Sequence, residues 1–256
     1  MELRWIVYIL AGLGAGFATG FSGISAAAVI SPMLVSFLNF DAYDAVGIAL
    51  ISDVLAAAES ALSYERNGHL KVRDSLFLLG SMLVFTFIGS WASQYIPSPA
   101  LGSISIIMSI AMGLKFLVIP NVGLGSLRGE QTQNERMLLT LFIGMAIGFV
   151  AGFAGAGGGM MTLFALTTIM DYDMKDAVGT SVFIMTFTAL VGGVSHIYLG
   201  GLPNANALIV CTLSTLVSAT VFSRLANRLK SATINLVTGL FLTLLGIAMA
   251  VSHFFF

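Results

Sequence analysis

Two short stretches of this chain present bare backbone where an apolar helix would otherwise run. Gly20-Phe21-Ser22-Gly23-Ile24-Ser25 interrupts the first apolar segment, and Gly152-Phe153-Ala154-Gly155-Ala156-Gly157-Gly158-Gly159 interrupts a later one. Glycine costs about 1 kcal/mol per residue in a helix, so five glycines in the eight positions 152–159 read as a break. After each break the apolar pattern restarts as a short helix, near Ser25 and near Gly159. The first N–H groups of a helix lack internal partners and carry about half a unit of positive charge. Glycine lets such N–H groups line a cavity with no side chain in the way. This chemistry holds an anion without a buried Lys or Arg, and neither break contains a cation. The alternative is that the glycines serve only close packing and tight turning, although packing alone does not need so dense a cluster.

Few titratable residues lie inside the apolar segments, where each is a functional candidate by default. Asp53 and Glu59 sit in the segment 44–63, and neither recurs in the second half of the chain, where Met185 and Val191 stand opposite. Asp53, beside Ser52 near mid-depth, is the first candidate for a proton carrier, and a hydrogen-bonded structural carboxyl is an equal alternative. Glu59, nearer the cytoplasmic end, is expected to pair with Arg66 or to meet water. His196 titrates near neutral pH when unperturbed, but its place near the outer end of a segment favours a solvated or capping histidine. Asp41-x-x-Asp44 and Asp173-x-x-Asp176 precede apolar helices at capping spacing. Cys211, the only cysteine, lies in an apolar run with no recognisable base near it and reads as a small core residue. No His-Glu-x-x-His, nucleophile elbow or zinc-ligand set occurs, so neither metal, cofactor nor enzymatic activity is expected.

The elements that would position these groups are written twice. Shifting the sequence by 132 residues superposes Gly12-x-x-x-Gly16-Phe17-x-x-Gly20-Phe21-x-Gly23 on Gly144-x-x-x-Gly148-Phe149-x-x-Gly152-Phe153-x-Gly155. In the same register Asp41-x-x-Asp44-Ala45-Val46-Gly47 falls on Asp173-x-x-Asp176-Ala177-Val178-Gly179, giving 12 identities in the 36 positions from 12 to 47. Duplication of an apolar chain, with an interrupted segment at the same place in each half, is the mark of a secondary transporter.

Eight apolar runs stand out, at 3–38, 44–63, 75–96, 99–119, 137–170, 176–199, 204–223 and 232–256. Most approach the ~20 residues that cross a bilayer core. The two that contain the breaks are too long for one crossing, so each reads as a re-entrant helical hairpin that turns near mid-depth. Loop charge supports this. Arg66, Lys71 and Arg73 follow the second run, while the equivalent loop 199–206 has no Lys or Arg; 97–100 is uncharged, while its equivalent carries Arg224, Arg228 and Lys230. By the positive-inside rule equivalent loops then lie on opposite sides. The expected fold is an all-α polytopic membrane protein of two inverted repeats, each a glycine-broken re-entrant hairpin plus three transmembrane helices. This places ten of the eleven cations on the cytoplasmic side, with Arg4 and both termini outside. Two full crossings per long run give the same parity. The first repeat spans 1–119, the polar cytoplasmic linker 120–136, and the second repeat 137–256.

A mean hydropathy of +0.98 with 9% charged residues excludes an ordinary soluble domain. A net charge of −1 with no basic block argues against a nucleic-acid partner. The partners are the lipid bilayer and a small anion. The N-terminal run superficially resembles a signal peptide, but residues 12–23 recur deep inside the chain, so it reads as part of the fold. The Gly-x-x-x-Gly-x-x-x-Gly ladders at 12, 16, 20 and 144, 148, 152 allow close helix contact. Packing inside the fold is the favoured reading of them, and a homodimer stays open.

Gly148-Phe149-Val150-Ala151-Gly152-Phe153-Ala154-Gly155-Ala156-Gly157-Gly158-Gly159, followed by Ala177-Val178-Gly179-Thr180-Ser181, resembles the repeated motif of the sulfite exporter TauE/SafE family. The resemblance covers nearly the whole chain. It implies a bacterial or archaeal inner-membrane permease for sulfite, sulfoacetate or related sulfur-containing anions. The substrate contacts it implies are Gly152, Gly155, Gly157, Gly158 and Gly159 with Thr180 and Ser181, and in the first half Gly20, Phe21, Ser22, Gly23 and Ser25. The first half departs from the pattern, with Ser25-Ala26-Ala27 in place of the triple glycine and Ile48-Ala49 in place of Thr-Ser. In the second half Phe164 stands where Pro32 stands in the first. The two half-sites are therefore not expected to contribute equally. The nearest rival function is an uncoupled anion channel, and an intramembrane enzyme is the more distant one.

Overall fold

The computed structural model describes residues 2–118, 133–155, 158–168, 170 and 172–255; Gly157 and positions 120–132 of the linker lie outside these. Every regular element among the described residues is helical. The first five α-helices are α1 (Glu2–Ser22), α2 (Ile30–Leu38), α3 (Ala42–Glu65), α4 (Leu76–Ser93) and α5 (Ser98–Val118). The next five are α6 (Gln133–Ala154), α7 (Gly158–Thr168), α8 (Met174–Gly200), α9 (Ala205–Ala226) and α10 (Ser231–Phe255). The second set repeats the order of the first: long, short, then three long. Seven described helices, α1, α3, α4, α6, α8, α9 and α10, are long and apolar enough to cross a membrane. This is a multi-pass membrane protein.

The breaks fall at equivalent positions because equivalent glycines end the helices before them. Gly23 has φ +69° and Gly155 φ +66°, left-handed conformations that side-chain-bearing residues rarely adopt. At the first, the Gly23 N–H reaches the Thr19 carbonyl at 3.0 Å and the Ile24 N–H reaches back to Ala18 at 3.2 Å, a Schellman-type stop. The chain then doubles back. Val29 lies against Gly14, and the ring of Phe40 meets Tyr8 edge-on at 6.1 Å. In the second half Ala165 and Met170 return beside Thr140 and Ile143.

The limbs are unequal. At 1.5 Å per residue α1 is roughly 31 Å long, whereas α2 with its 9 residues is roughly 14 Å. Limbs of 9 and 11 residues are too short for a second full crossing.

Small residues set the packing. A Cβ added at Gly12 would lie 2.6 Å from Ser214 Cβ, and one at Gly20 2.5 Å from the Ala219 carbonyl, so α1 lies directly on α9. Gly144, Gly148 and Gly152 bring α6 onto Leu78, Met82 and Thr86 of α4 in the same way. The glycine ladders thus pack inside the fold, each joining the hairpin of one half to a helix of the other. Buried Cys211 sits in the α1–α9 contact, its thiol 3.5 Å from the Tyr8 carbonyl.

At the centre α3 and α8, which are equivalent in the repeat, run antiparallel: Gly200 meets Tyr43, His196 meets Gly47 and Gly179 meets Tyr64. About two-thirds of each is buried (67%), against 28–39% for α4, α6, α9 and α10. The outer helices turn apolar stripes away from the core, such as Ile209, Leu213, Val217 and Val221 of α9. Such a surface suits lipid.

Asp41 caps α3 as its spacing predicts, accepting hydrogen bonds from the Tyr43 and Asp44 N–H groups at 2.9 and 3.4 Å. The capping expectation fails in the second half. Asp173 makes no side-chain cap bond, and Asp176 is drawn into the contact with the α3–α4 loop described below.

Candidate functional site

The two breaks meet at the centre of the molecule and hold each other. The Ser25 hydroxyl donates to the Gly155 carbonyl at 3.2 Å and accepts from the Ala27 N–H at 3.3 Å. The Ser181 hydroxyl lies 3.4 Å from the Gly23 carbonyl and 3.1 Å from that of Gly159, linking the breaks to α8. A Cβ at Gly159 would lie 2.9 Å from the Ser25 nitrogen and 2.5 Å from the Gly23 carbonyl, an approach that only glycine permits.

Between the breaks is a small cavity. Ser25, Gly155, Gly158 and Gly159 form its break-side wall. Leu50 and Asp53 of α3, Ala151 of α6, and Met185, Thr188 and Ala189 of α8 complete it. Its free space is about 10 Å³, near the minimum for one water molecule, so an oxyanion enters only if the breaks part.

Which helix start faces this space is itself informative. In the second half α7 begins at Gly158, on the cavity wall, and runs for 11 residues. In the first half the chain restarts near Ser25 only as one 3-10 turn, Ala26–Ala28, and α2 begins at Ile30. The expected pair of facing helix N-termini is therefore one full helix start and one capped turn.

Asp53 is fully buried, and its Oδ2 has no hydrogen-bond partner. Its Oδ1 lies 2.9 Å from the Thr19 hydroxyl, and that hydroxyl is also 2.9 Å from the Ile24 carbonyl. The other two candidate proton carriers are elsewhere. Glu59 faces Arg224 at 3.8 Å, not Arg66, and is partly exposed. His196 is 2% exposed, which overturns the solvated or capping expectation: Tyr43 stacks on its ring at 4.3 Å, and its Nδ1 lies 2.9 Å from the Gly192 carbonyl. Gly47 leaves the room in which the imidazole is buried, since a Cβ there would come within 3.2 Å of His196 Cβ.

The remaining described residues singled out by sequence sit off the cavity wall. Gly20 and Gly152 are helix-contact glycines, Phe21 stacks on Phe17, and the Ser22 hydroxyl donates to the Ala18 carbonyl of its own helix. Gly23 packs on Val178. Gly157 is outside the described residues. The Thr180 hydroxyl accepts from the Lys71 N–H at 3.1 Å.

That last contact belongs to a latch. The α3–α4 loop folds over the start of α8, where Asp176 accepts from His69 Nδ1 at 2.8 Å and from Lys71 Nζ at 2.6 Å. Asp176 is held there because this loop brings two basic groups to its carboxylate, and it is not free to cap its own helix. The loop covers one end of the α3–α8 pair, and Tyr43 with His196 covers the other.

Sequence reasoning missed Thr19, Ala151 and Thr188. Ala151 is the repeat equivalent of Thr19, and that correspondence was the available signal.

Comparison with known proteins agrees with this architecture. The family model described as "Sulfite exporter TauE/SafE" matches residues 8–249. The chain is 22% identical over 234 residues to a probable membrane transporter protein, YdhB, of Bacillus subtilis, covering 89% of this chain and 92% of the relative. It is 25% identical over 219 residues to a second from the same organism, YunE, covering 77% and 80%. Over a shorter stretch of 126 residues it is 29% identical to the probable membrane transporter protein YfcA of Escherichia coli, covering 46% and 44%. No solved structure matches.

Proposed function

Because this chain belongs to the sulfite exporter TauE/SafE family of membrane transporters, we propose that it is a secondary transporter for sulfite or a small organosulfonate, bound where the two glycine breaks meet. The observation that carries this reading is the start of α7. Its first residues, Gly158 and Gly159, put backbone rather than side chains on the wall of a buried cavity between the halves. A helix start of this kind holds a sulfonate or sulfite oxygen by hydrogen bonding and by its partial charge.

A channel reading fits less well. The α3–α8 pair that walls the cavity is covered by the His69–Lys71–Asp176 latch at one end and by Tyr43 and His196 at the other. Alternating access asks for a central site with a closure on each side. Loop charge supports inverted repeats with both termini outside, and the family implies a bacterial or archaeal inner-membrane setting.

The test is flux into proteoliposomes from a panel of sulfite, sulfate, thiosulfate, sulfoacetate and taurine. Sulfite or sulfoacetate is expected to move well above protein-free vesicles and faster than zwitterionic taurine; no anion moving above the vesicle background contradicts the proposal. In a Cys211→Ala background of the same vesicles, Arg66→Cys should label only from the cytoplasmic face and Leu202→Cys only from the opposite face. Labelling of both from one face contradicts the inversion.

A further inference from the structure

We propose that this transporter moves its anion together with a proton carried on Asp53, so that the central cavity takes up the two as a pair. The inference rests on the anion-transport reading above and adds the coupling ion and its seat.

The first argument is a count of hydrogens. The Thr19 hydroxyl has one proton and two neighbours at 2.9 Å, the Ile24 carbonyl and Asp53 Oδ1. The carbonyl can only accept, and an ionised carboxylate can only accept. With Asp53 ionised, one of the two contacts has no hydrogen. With Asp53 protonated, its O–H donates to Thr19 and Thr19 donates to Ile24, and both contacts are made. The Ser25 hydroxyl and the Ala26 N–H also approach the carboxylate without completing a hydrogen bond to its Oδ2, and the Gly155 carbonyl at 3.2 Å competes for the one Ser25 proton.

The second argument is charge. Asp53 is fully buried on the wall of the anion cavity, and its Oδ2 has no partner there. No other titratable or charged side chain among the described residues lines that cavity. Toward it α6 presents Ala151, α7 presents Gly158 and Gly159, and α8 presents Met185 and Thr188. Glu59 on the same helix is paired with Arg224, and Asp176 of α8 is held by His69 and Lys71. An ionised Asp53 would repel an anion in a closed, low-dielectric space with no cation to offset it. A neutral Asp53 admits the anion without that repulsion. Anion binding therefore requires the proton, and the proton is released when the cavity opens to the other side.

The step balances simply. One H⁺ adds to a carboxylate oxygen of Asp53 on the side of entry and leaves it on the side of exit, and no other bond forms or breaks. For a monoanion the pair is neutral, so its flux follows a proton gradient and not the membrane voltage.

The test compares wild type with Asp53→Asn in proteoliposomes, with sulfite or sulfoacetate as the transported ion. Asparagine keeps the shape and a donor of neutral Asp53. An inward proton gradient should accelerate wild-type uptake by roughly tenfold over the same vesicles without a gradient, while in Asp53→Asn that ratio falls to about one whatever its basal rate. A mutant as gradient-sensitive as wild type overturns the proposal, as does a wild type that moves anion with no response to the gradient. Wild type that moves no anion overturns the transport reading itself, and this one with it. Should Asp53→Asn fail to fold, wild type in weakly buffered vesicles decides. External alkalinisation of about one proton per anion taken up supports the pair, and no alkalinisation refutes it.

Discussion

Position 53 of the first half meets the central cavity with a carboxyl; its repeat equivalent in the second half, 185, meets it with a thioether. The same contrast recurs in the sequence around the two breaks. Thr19 is matched by Ala151, and Ser25 by Gly157. The first half has fewer glycines at its break, with hydroxyls and an acid. The second half has more bare backbone and a full helix start at Gly158. On the proposed reading the two breaks divide the work: one side supplies groups that handle a proton, and the other a surface suited to an anion. At Ser181 the hydroxyl lies in the second half instead. Its hydroxyl ties both breaks to α8, whereas its equivalent, Ala49, has no hydroxyl with which to do so.

If this division is correct, substitutions in the two halves fail differently. The largest effect is expected from Gly158→Leu. Even its Cβ would lie 2.7 Å from Ala151 Cβ, and the remaining atoms would fill the cavity. Anion flux should fall about 100-fold or more, at roughly 1.4 kcal/mol per decade, with the protein still monodisperse and helical by circular dichroism. Flux near wild type would show that the anion does not pass α7. The smallest effect is expected from Met185→Leu, on the same wall. This swap nearly conserves volume and costs less than about 1.5 kcal/mol, so the response of uptake to pH should be unchanged. A lost pH response in Met185→Leu would dissolve the contrast between positions 53 and 185.

The architecture was legible because it depends on pattern. Apolar run lengths, the 132-residue register and the two glycine clusters anticipate ten helices in two like sets, with a short limb after each break. What was not legible depends on which face of a helix a residue occupies. Gly20 and Gly158 are the same residue type in equivalent motifs, yet one packs on Ala219 and the other lines the cavity. Sequence spacing within a break cannot separate these, since the direction of the chain changes inside it. Asp53 was flagged by its type and depth, but its meeting with Thr19, 34 residues away, exists only because the first hairpin folds back beside α3. His196 and Asp176 were misread for a related reason. Each lies near a helix end, where exposure or capping is the usual fate, and each is covered by a segment distant in sequence: Tyr43 in one case, the α3–α4 loop in the other.

Pairing by charge across the membrane also has a measurable scale. One uncompensated charge moved through 100 mV costs about 2.3 kcal/mol, so an anion imported against an inside-negative potential gains from a proton partner, and an exported one does not need it. The asymmetry between the halves is expected of a carrier that must handle both ions at one place.

The most direct measurement is the position of a bound anion. Selenite, a heavier analogue of sulfite, can be located by anomalous diffraction or cryo-electron microscopy of the wild-type protein. The account predicts selenium between the two breaks, with its oxygens at hydrogen-bonding distance, about 2.7–3.2 Å, from the backbone nitrogens of Gly158 and Gly159. Selenium bound instead at the outer end of the α3–α8 pair, beside Tyr43 and His196, with the space between the breaks unoccupied, would contradict it.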